Sequence, residues 1–375
     1  MLLLSGETSY STCQMIHKDM IQGFPYQLIS ELRCTHDGAS LQLDQKCQMS
    51  EDGTCVRHGT LSCTDCSASF AINDGILDML DADALDVESR HEKQLRNETA
   101  SSQQVTGPAW YENEQNLSEI IPTLEALSVN SGMTMLELGC GDGRYTVQLA
   151  GMCKWIVALD FSVESLRILA QRCKNLKNVV LVLGDISSVK VGSAHFDRVF
   201  STLASNLPTR EHRQTMYHLA TQALKPDGRF VFSAHHHGPR QRLSGEEKSG
   251  RYTHGGIYRY NFTVSECNAE VRPYFKFVIT RPIQIHLPFA RKLPLSIVDQ
   301  SRFLERIPLL NHFGNLILCT AEHPLCSGEV KRSPLQMHSD YDFEVRGYDS
   351  NVTIQDISIS ESETVAKNDR TPQGH

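Results

Sequence analysis

No stretch of the chain holds the roughly 18 to 20 consecutive apolar residues that a membrane-spanning helix needs. The opening Met1-Leu-Leu-Leu4 is also too short for the apolar core of a signal peptide. Basic charge is scarce: 36 Lys and Arg stand against 44 Asp and Glu, a formal net charge of −8. That balance gives no general electrostatic pull toward nucleic acid or an anionic membrane surface. A secreted disulfide scaffold is excluded as well. There are twelve cysteines, but six crowd into the first 66 residues with no secretory segment before them. In a reducing compartment such a cluster reads as metal ligands. The expectation is a soluble, cytoplasmic, globular protein. Its length of 375 residues suits about two domains with loose ends, and a hydrophobic fraction of 40% is ample for a core.

Taken in order, residues 1–25 show no period and are expected to form a mobile arm. Residues 26–80 resemble the two halves of a zinc ribbon. In the second half, Cys63 and Cys66 have the two-residue spacing that lets both thiolates reach one tetrahedral ion from a tight turn. The first half is degenerate, because Cys34 has Asp37 where a second cysteine would stand. His36, Asp37, Cys47 or Cys55 can complete the site, and the candidate set is Cys34, Asp37, Cys63 and Cys66 around a structural zinc. The alternative is a small β-rich cap that has lost its metal. Residues 81–108 are rich in Asp, Glu, Ser and Gln and read as a linker. Residues 109–324 then form the main domain, beginning with an amphipathic helical pattern of Leu117, Ile120, Ile121, Leu124 and Leu127 in which Pro122 predicts a kink or break. Residues 325–375 are polar and aperiodic, as expected of a disordered tail.

Within the main domain, short apolar runs alternate with helical patterns: Met133 to Leu138, Trp155 to Leu159, Val179 to Leu183, Arg198 to Leu203 and Arg229 to Ser233. Five strands joined by helices predict an α/β fold, a Rossmann-like, mostly parallel sheet with helices on both faces. Phe275 to Ile285 and Asn315 to Thr320 supply two more strands, an antiparallel pair at one edge, which brings the sheet to seven. The first strand runs directly into Gly139, Gly141 and Gly143, a loop whose backbone N–H groups can approach a ligand closely. A nicotinamide or flavin loop wants a sixth-position glycine, and Arg144 stands there instead.

Glu137-Leu-Gly139-Cys-Gly141-Asp-Gly143 resembles the first motif of class I S-adenosylmethionine-dependent methyltransferases, in particular the ubiquinone-biosynthesis group. Later landmarks follow in order: Asp160 closes the second strand, Gly184-Asp185-Ile186 closes the third, and Leu224-Lys-Pro-Asp-Gly228 precedes the fifth. The resemblance implies that Gly139, Gly141 and Gly143 leave room for the methionine part of the cofactor, with Glu137 orienting the loop. Asp160 would accept from the ribose hydroxyls, Asp185 from the adenine amino group, and Ile186 would pack on the adenine ring. Ser201, after the fourth strand, would face the zone of methyl transfer.

The acceptor is less defined. His235, His236 and His237, just past the fifth strand, are the candidate general base. Residues 235–260 read as a lid or substrate loop, rich in Arg and Tyr and suited to an anionic or aromatic small molecule. A ribbon ahead of this fold is also similar to guanine-N1 ribosomal RNA methyltransferases. The acidic balance, the broken first knuckle, and the lack of an Asn/Asp-Pro-Pro-Tyr/Phe signature where Ser201-Thr-Leu-Ala-Ser205 stands all argue against nucleic acid. A cofactor-binding adaptor without catalysis is the third reading, although its glycine loop would be expected to be eroded.

Overall fold

The structure, a computed structural model, describes residues 23–102, 114–203, 207, 209–251, 256–286 and 296–325. Most of the expected arm 1–25 and all but the first residue of the tail 325–375 lie outside these. The N-terminal region holds β1 (Phe24–Pro25), β2 (Leu32–Arg33), β3 (Leu41–Leu43), β4 (Gln48–Met49), β5 (Cys55–Cys63), β6 (Ser69–Asn73) and β7 (Ile76–Asp78). Two helices follow, α1 (Val87–Ser102) and α2 (Glu114–Leu127). The alternating core is β8 (Thr134–Leu138), α3 (Thr146–Ala150), β9 (Trp155–Asp160), α4 (Val163–Arg172), β10 (Val179–Leu183), β11 (Lys190–Val191), β12 (Phe196–Ser201), α5 (Arg210–Ala223) and β13 (Leu224–His235). The chain closes with α6 (Pro239–Leu243), β14 (Ser249–Arg251), β15 (Tyr258–Tyr260), α7 (Val264–Val271), β16 (Phe275–Ile283), α8 (Ile297–Glu305) and β17 (Leu316–Pro324).

The main sheet runs β10-β9-β8-β12-β13-β17-β16. The first five strands are mutually parallel. β17 is antiparallel to both of its neighbours. This is the expected seven-stranded, mostly parallel sheet with an antiparallel edge pair. Its strands read as continuous apolar runs because both faces are covered. Met135, Ile156, Ala158, Val179 and Leu181 pack on one face with Leu149, Leu166 and Leu169 from α3 and α4. Leu136, Val157, Val180 and Val182 pack on the other with Met216, Tyr217 and Ala220 from α5. Helix starts follow their capping residues. The Ser162 hydroxyl accepts from Ser165 N, Thr209 from His212 N, and Thr263 with Glu266 forms a reciprocal box.

Three sequence expectations are corrected. Residues 81–108 are not simply a linker, since α1 occupies Val87–Ser102. The composition that suggested a linker, Glu, Lys, Gln and Arg, is also that of a helix with little apolar face, and Glu92–Arg96 and Gln94–Glu98 contacts run along it. Pro122 does not break α2, which continues to Leu127.

The expected β-rich, cysteine-bearing N-terminal segment is present, but it is not a separate preceding domain. β7 pairs in parallel with β10, setting Ile76, Leu77 and Asp78 against Leu181, Val182 and Leu183, and Met79 N donates to Leu183 O at 2.8 Å. The sheet therefore continues through β6 and β5 into the N-terminal region. Leu61, Phe70, Ile72, Leu77 and Met79 belong to the same core as Val180 and Val182. A second, short pairing of β2 with β11 fastens the stretch just before Cys34 to the main domain.

Because Leu77 is fully buried at this junction, Leu77→Ala should cost about 2–5 kcal/mol of stability for the whole chain. A single urea transition at a lower midpoint is the expected result. An unchanged midpoint, or a separate early transition for residues 26–80, would contradict the shared core.

Candidate functional site

After β8 the chain turns through Gly139, Gly141 and Gly143, all at positive φ (76°, 54° and 91°). Gly139 N and Cys140 N both donate to Leu159 O, at 2.8 and 3.0 Å. A Cβ built on Gly139 or Gly141 meets nothing within 4 Å, so both glycines face open space. Gly143 differs, because a Cβ there would overlap the Leu169 side chain of α4. Its glycine serves loop-to-helix packing, and the expectation that it makes room for a cofactor is corrected.

The open space is a cavity of about 280 Å³, lined on one side by Leu138 to Asp142, Asp160, Phe161, Asp185 and Ile186. The Asp160 carboxylate is buried at the end of β9 and accepts Gly141 N on one oxygen and Ser162 N on the other, each at 2.8 Å. Each oxygen keeps capacity for a second donor, so the group can take two neighbouring hydroxyls. Burial raises its pKa against these N–H bonds. Asp185 accepts from Ser187 N at 3.3 Å and from the Ser187 hydroxyl, which fixes its carboxylate at the end of β10 beside Ile186.

Glu137 does not reach the cavity wall. It is buried behind the loop, where it accepts the Thr146 hydroxyl at 2.5 Å and ties β8 to α3. Burial pushes its carboxyl up to about 8; the Thr146 hydrogen bond opposes this, and Asp160 and Asp142 add to it. Ser201 does line the cavity, but its hydroxyl donates to Leu138 O at 2.8 Å.

The cover over this cavity is α1, through Ser89, Glu92, Arg96, Thr99 and Ala100. Among the described residues of 235–260, none lines it; Tyr252 and His254 lie outside the described residues. His235, His236 and His237 are therefore not brought to the cavity, a correction with a clear cause: β13 runs on past Ser233, and His235 pairs with Leu316 in the ladder. His236 lies buried with Nδ1 at 2.9 Å from Gly314 O, and His237 N donates to Phe262 O. The cavity histidine is His212 of α5. Sequence reasoning missed it because it lies within a polar helical pattern, ten residues beyond Thr202. It also missed the role of Arg144, which lines the cavity and forms a buried ion pair with Glu119 of α2. The other Glu119 oxygen takes the Ser233 hydroxyl at 2.7 Å.

Away from the cavity, the four metal candidates do come together. One ligand atom from each of Cys34, Asp37, Cys63 and Cys66 lies within 4.8 Å of the other three. Cys34 Sγ and Cys66 Sγ are 3.7 Å apart, and Cys63 Sγ is 3.4 and 3.5 Å from the Asp37 carboxylate oxygens. A tetrahedral ion with ~2.3 Å bonds to sulfur and ~2.0–2.2 Å bonds to oxygen spaces its ligands by about 3.5–3.8 Å. The donor set fits zinc, with one oxygen in place of a fourth thiolate.

The raised carboxyls have a consequence for stability. The folded-state pKa of Glu137 lies above its ordinary value of 4.5, so its contribution is fully present below 4.5 and is lost as pH climbs toward about 8. The ligand-free protein should melt at progressively lower temperature from about pH 5 to about pH 8. Glu137→Gln should flatten that slope, and calorimetric scans showing the same slope in both proteins would refute the assignment.

Parts of the chain are similar to known proteins. Residues 135–228 match a family model described as "Methyltransferase domain". An uncharacterized methyltransferase of Synechocystis sp. is 32% identical over 109 residues, 29% of this chain and 50% of that protein. A demethylmenaquinone methyltransferase of Bacillus licheniformis is 29% identical over 112 residues, 29% of this chain and 47% of that protein. The chain thus spans about half the length of these curated relatives. Among solved structures, phosphoethanolamine N-methyltransferase 1 of Haemonchus contortus aligns over 65% of this chain and 51% of its own, with a TM-score of 0.45 and 13% identity. Motif, strand order and family match converge on one statement: residues 135–228, which hold the glycine loop, Asp160 and Asp185, are similar to a methyltransferase domain.

Proposed function

We propose that the protein is an S-adenosylmethionine-dependent methyltransferase that moves a methyl group to an O, N or C atom of a small-molecule acceptor by in-line displacement. The observation that carries this is the shared cavity. Two glycines with open space where a side chain would be, a strand-end Asp160 with spare acceptor capacity, and Asp185 with Ile186 all line one space in that order along the sheet.

The cofactor, when bound, supplies a sulfonium-activated methyl group and a neutral thioether leaving group. The protein's part is then alignment, which is worth up to roughly 7–11 kcal/mol of barrier in ideal cases. Gly139 and Gly141 admit the methionine portion, Asp160 holds the ribose, and Asp185 and Ile186 hold the adenine. Among the described residues, Glu92, Asp142, Asp160 and Asp185 on the walls stand beside Arg96, Arg144 and His212, a balance suited to a cationic cofactor. Glu92 and Asp160 both have carboxyl pKa values raised by burial, and a bound cation would favour their ionised forms. Relatives named for demethylmenaquinone support an aromatic acceptor, in keeping with the acceptor class suggested by the sequence. In the N-terminal region, Cys34, Asp37, Cys63 and Cys66 would hold a structural zinc.

Two measurements test these readings. Calorimetry should show S-adenosylhomocysteine binding to the wild type, with affinity lowered at least about tenfold in Asp160→Ala, the loss expected for hydrogen bonds to a charged group. Absence of binding, or equal binding by both proteins, would sink the cofactor assignment, and label appearing only in an RNA fraction during methyl transfer would sink the small-molecule acceptor. Metal analysis of freshly purified protein should give close to one zinc per chain, falling toward none in Cys63→Ser. A wild-type value near zero removes the metal.

A further inference from the structure

The cavity extends beyond the cofactor residues toward the carboxyl end of β12. There Ser201, Thr202, Leu203 and Leu207 line it together with Ser89 and His212. His212 is held at both ring nitrogens. Nε2 lies 3.0 Å from Asp86 Oδ2, and Nδ1 lies 3.0 Å from Thr209 Oγ1. Asp86 cannot swing freely, because its carboxylate also accepts Ser89 N at 3.0 Å and the Ser89 hydroxyl at 2.7 Å. Burial works to raise the Asp86 carboxyl, but the Ser89 hydrogen bonds and neighbouring His212 more than offset it and keep it below the ordinary range.

These partners fix the tautomer of the neutral ring. A carboxylate only accepts, so Nε2 carries the proton and Nδ1 presents its lone pair to the Thr209 hydroxyl. Carboxylate, imidazole and hydroxyl thus form a chain whose imidazole lines the cavity, the arrangement that lets an imidazole receive a proton while the carboxylate steadies the resulting cation. Among the described residues, Asp86, ahead of α1, and Glu211, beside His212 on α5, are charged groups that interact with the ring.

We propose that His212, oriented by Asp86, is the general base of the methyl transfer, which deepens the methyltransferase reading and rests on it. The acceptor is then an O–H, N–H or acidic C–H compound whose proton must leave. The acceptor–methyl bond forms as the sulfur–methyl bond breaks, with the sulfur keeping the bonding electron pair as a neutral thioether. The acceptor proton goes to Nδ1, directly or over the Thr209 hydroxyl, and leaves later to solvent.

The test uses the full chain with methyl-labelled S-adenosylmethionine and the small-molecule fraction of a cell extract, from about pH 5.5 to about 9, across the histidine range. Wild type should show a rate that rises through that range and levels off. His212→Gln, which can still hydrogen-bond to Asp86, should be about 10²–10⁴ slower and lose the acid limb. Asp86→Asn, an equally good helix cap, should be at least about tenfold slower by the same proton-transfer argument. Both variants should bind S-adenosylhomocysteine within about twofold of wild type by calorimetry, since Gly139, Gly141, Asp160, Asp185 and Ile186, the residues assigned to the cofactor, are unchanged in them. A wild-type pH profile in His212→Gln overturns the proposal while leaving the methyltransferase reading intact. Rate and cofactor binding lost in parallel also overturn it, because His212 would then only strap α5 to the start of α1. No labelled product from wild type would overturn both readings.

Discussion

Two backbone N–H groups meet on one buried carboxylate, and the cavity is built around that meeting. Asp160 takes Gly141 N from the glycine loop and Ser162 N from the start of α4. The same helix holds the loop twice more: Leu169 fills the space beside Gly143, and Arg172 donates to both the carbonyl and the carboxylate of Asp142 at 2.7 and 2.6 Å. The loop is therefore shaped from the α4 side before any ligand arrives, so little of its ordering would have to be supplied by binding. The cost is a carboxyl kept out of water at the centre of the site, and that cost is reduced when a cation comes near.

The parts of this fold legible in the sequence are those whose cause is local. Apolar runs such as Val179–Leu183 are buried on both faces and look so. Asp160 and Asp185 stand at strand ends because a parallel sheet presents its carboxyl ends to the ligand. The cysteine cluster was legible from the Cys63–Cys66 spacing even with aspartate in the fourth place, because that spacing fixes a turn.

Other features were illegible for equally physical reasons. α1 lies between the cavity and solvent and carries little apolar face, so its composition resembles that of a linker. Gly143 looks like its two neighbours, and only the position of Leu169, twenty-six residues on, separates packing from ligand space. Arg144 counted only as the absence of a glycine, although its partner Glu119 joins the loop to α2 and to Ser233 of β13. The three histidines looked catalytic because they follow a strand. The strand in fact continues and takes them out of reach.

The cover over the cavity and the N-terminal region are attached in opposite ways. α1 is held at its start by Asp86–His212 and by Glu88–Arg251, and farther along by Asn97, whose oxygen accepts the Ser162 hydroxyl at 2.7 Å. The Glu88–Arg251 pair is partly exposed, a kind worth about 0–1 kcal/mol. β7 instead joins the body by a ladder of backbone hydrogen bonds over a shared core. In most open sheets an outer strand leaves a row of unpaired amides, a template for association with another chain. Here β10 has no such row, because β7 occupies it. The region that carries the cysteine cluster thus works as a built-in edge guard: it moves this border of the sheet away from the cofactor strands to the short outer strands β1, β3 and β4, where brevity itself discourages pairing.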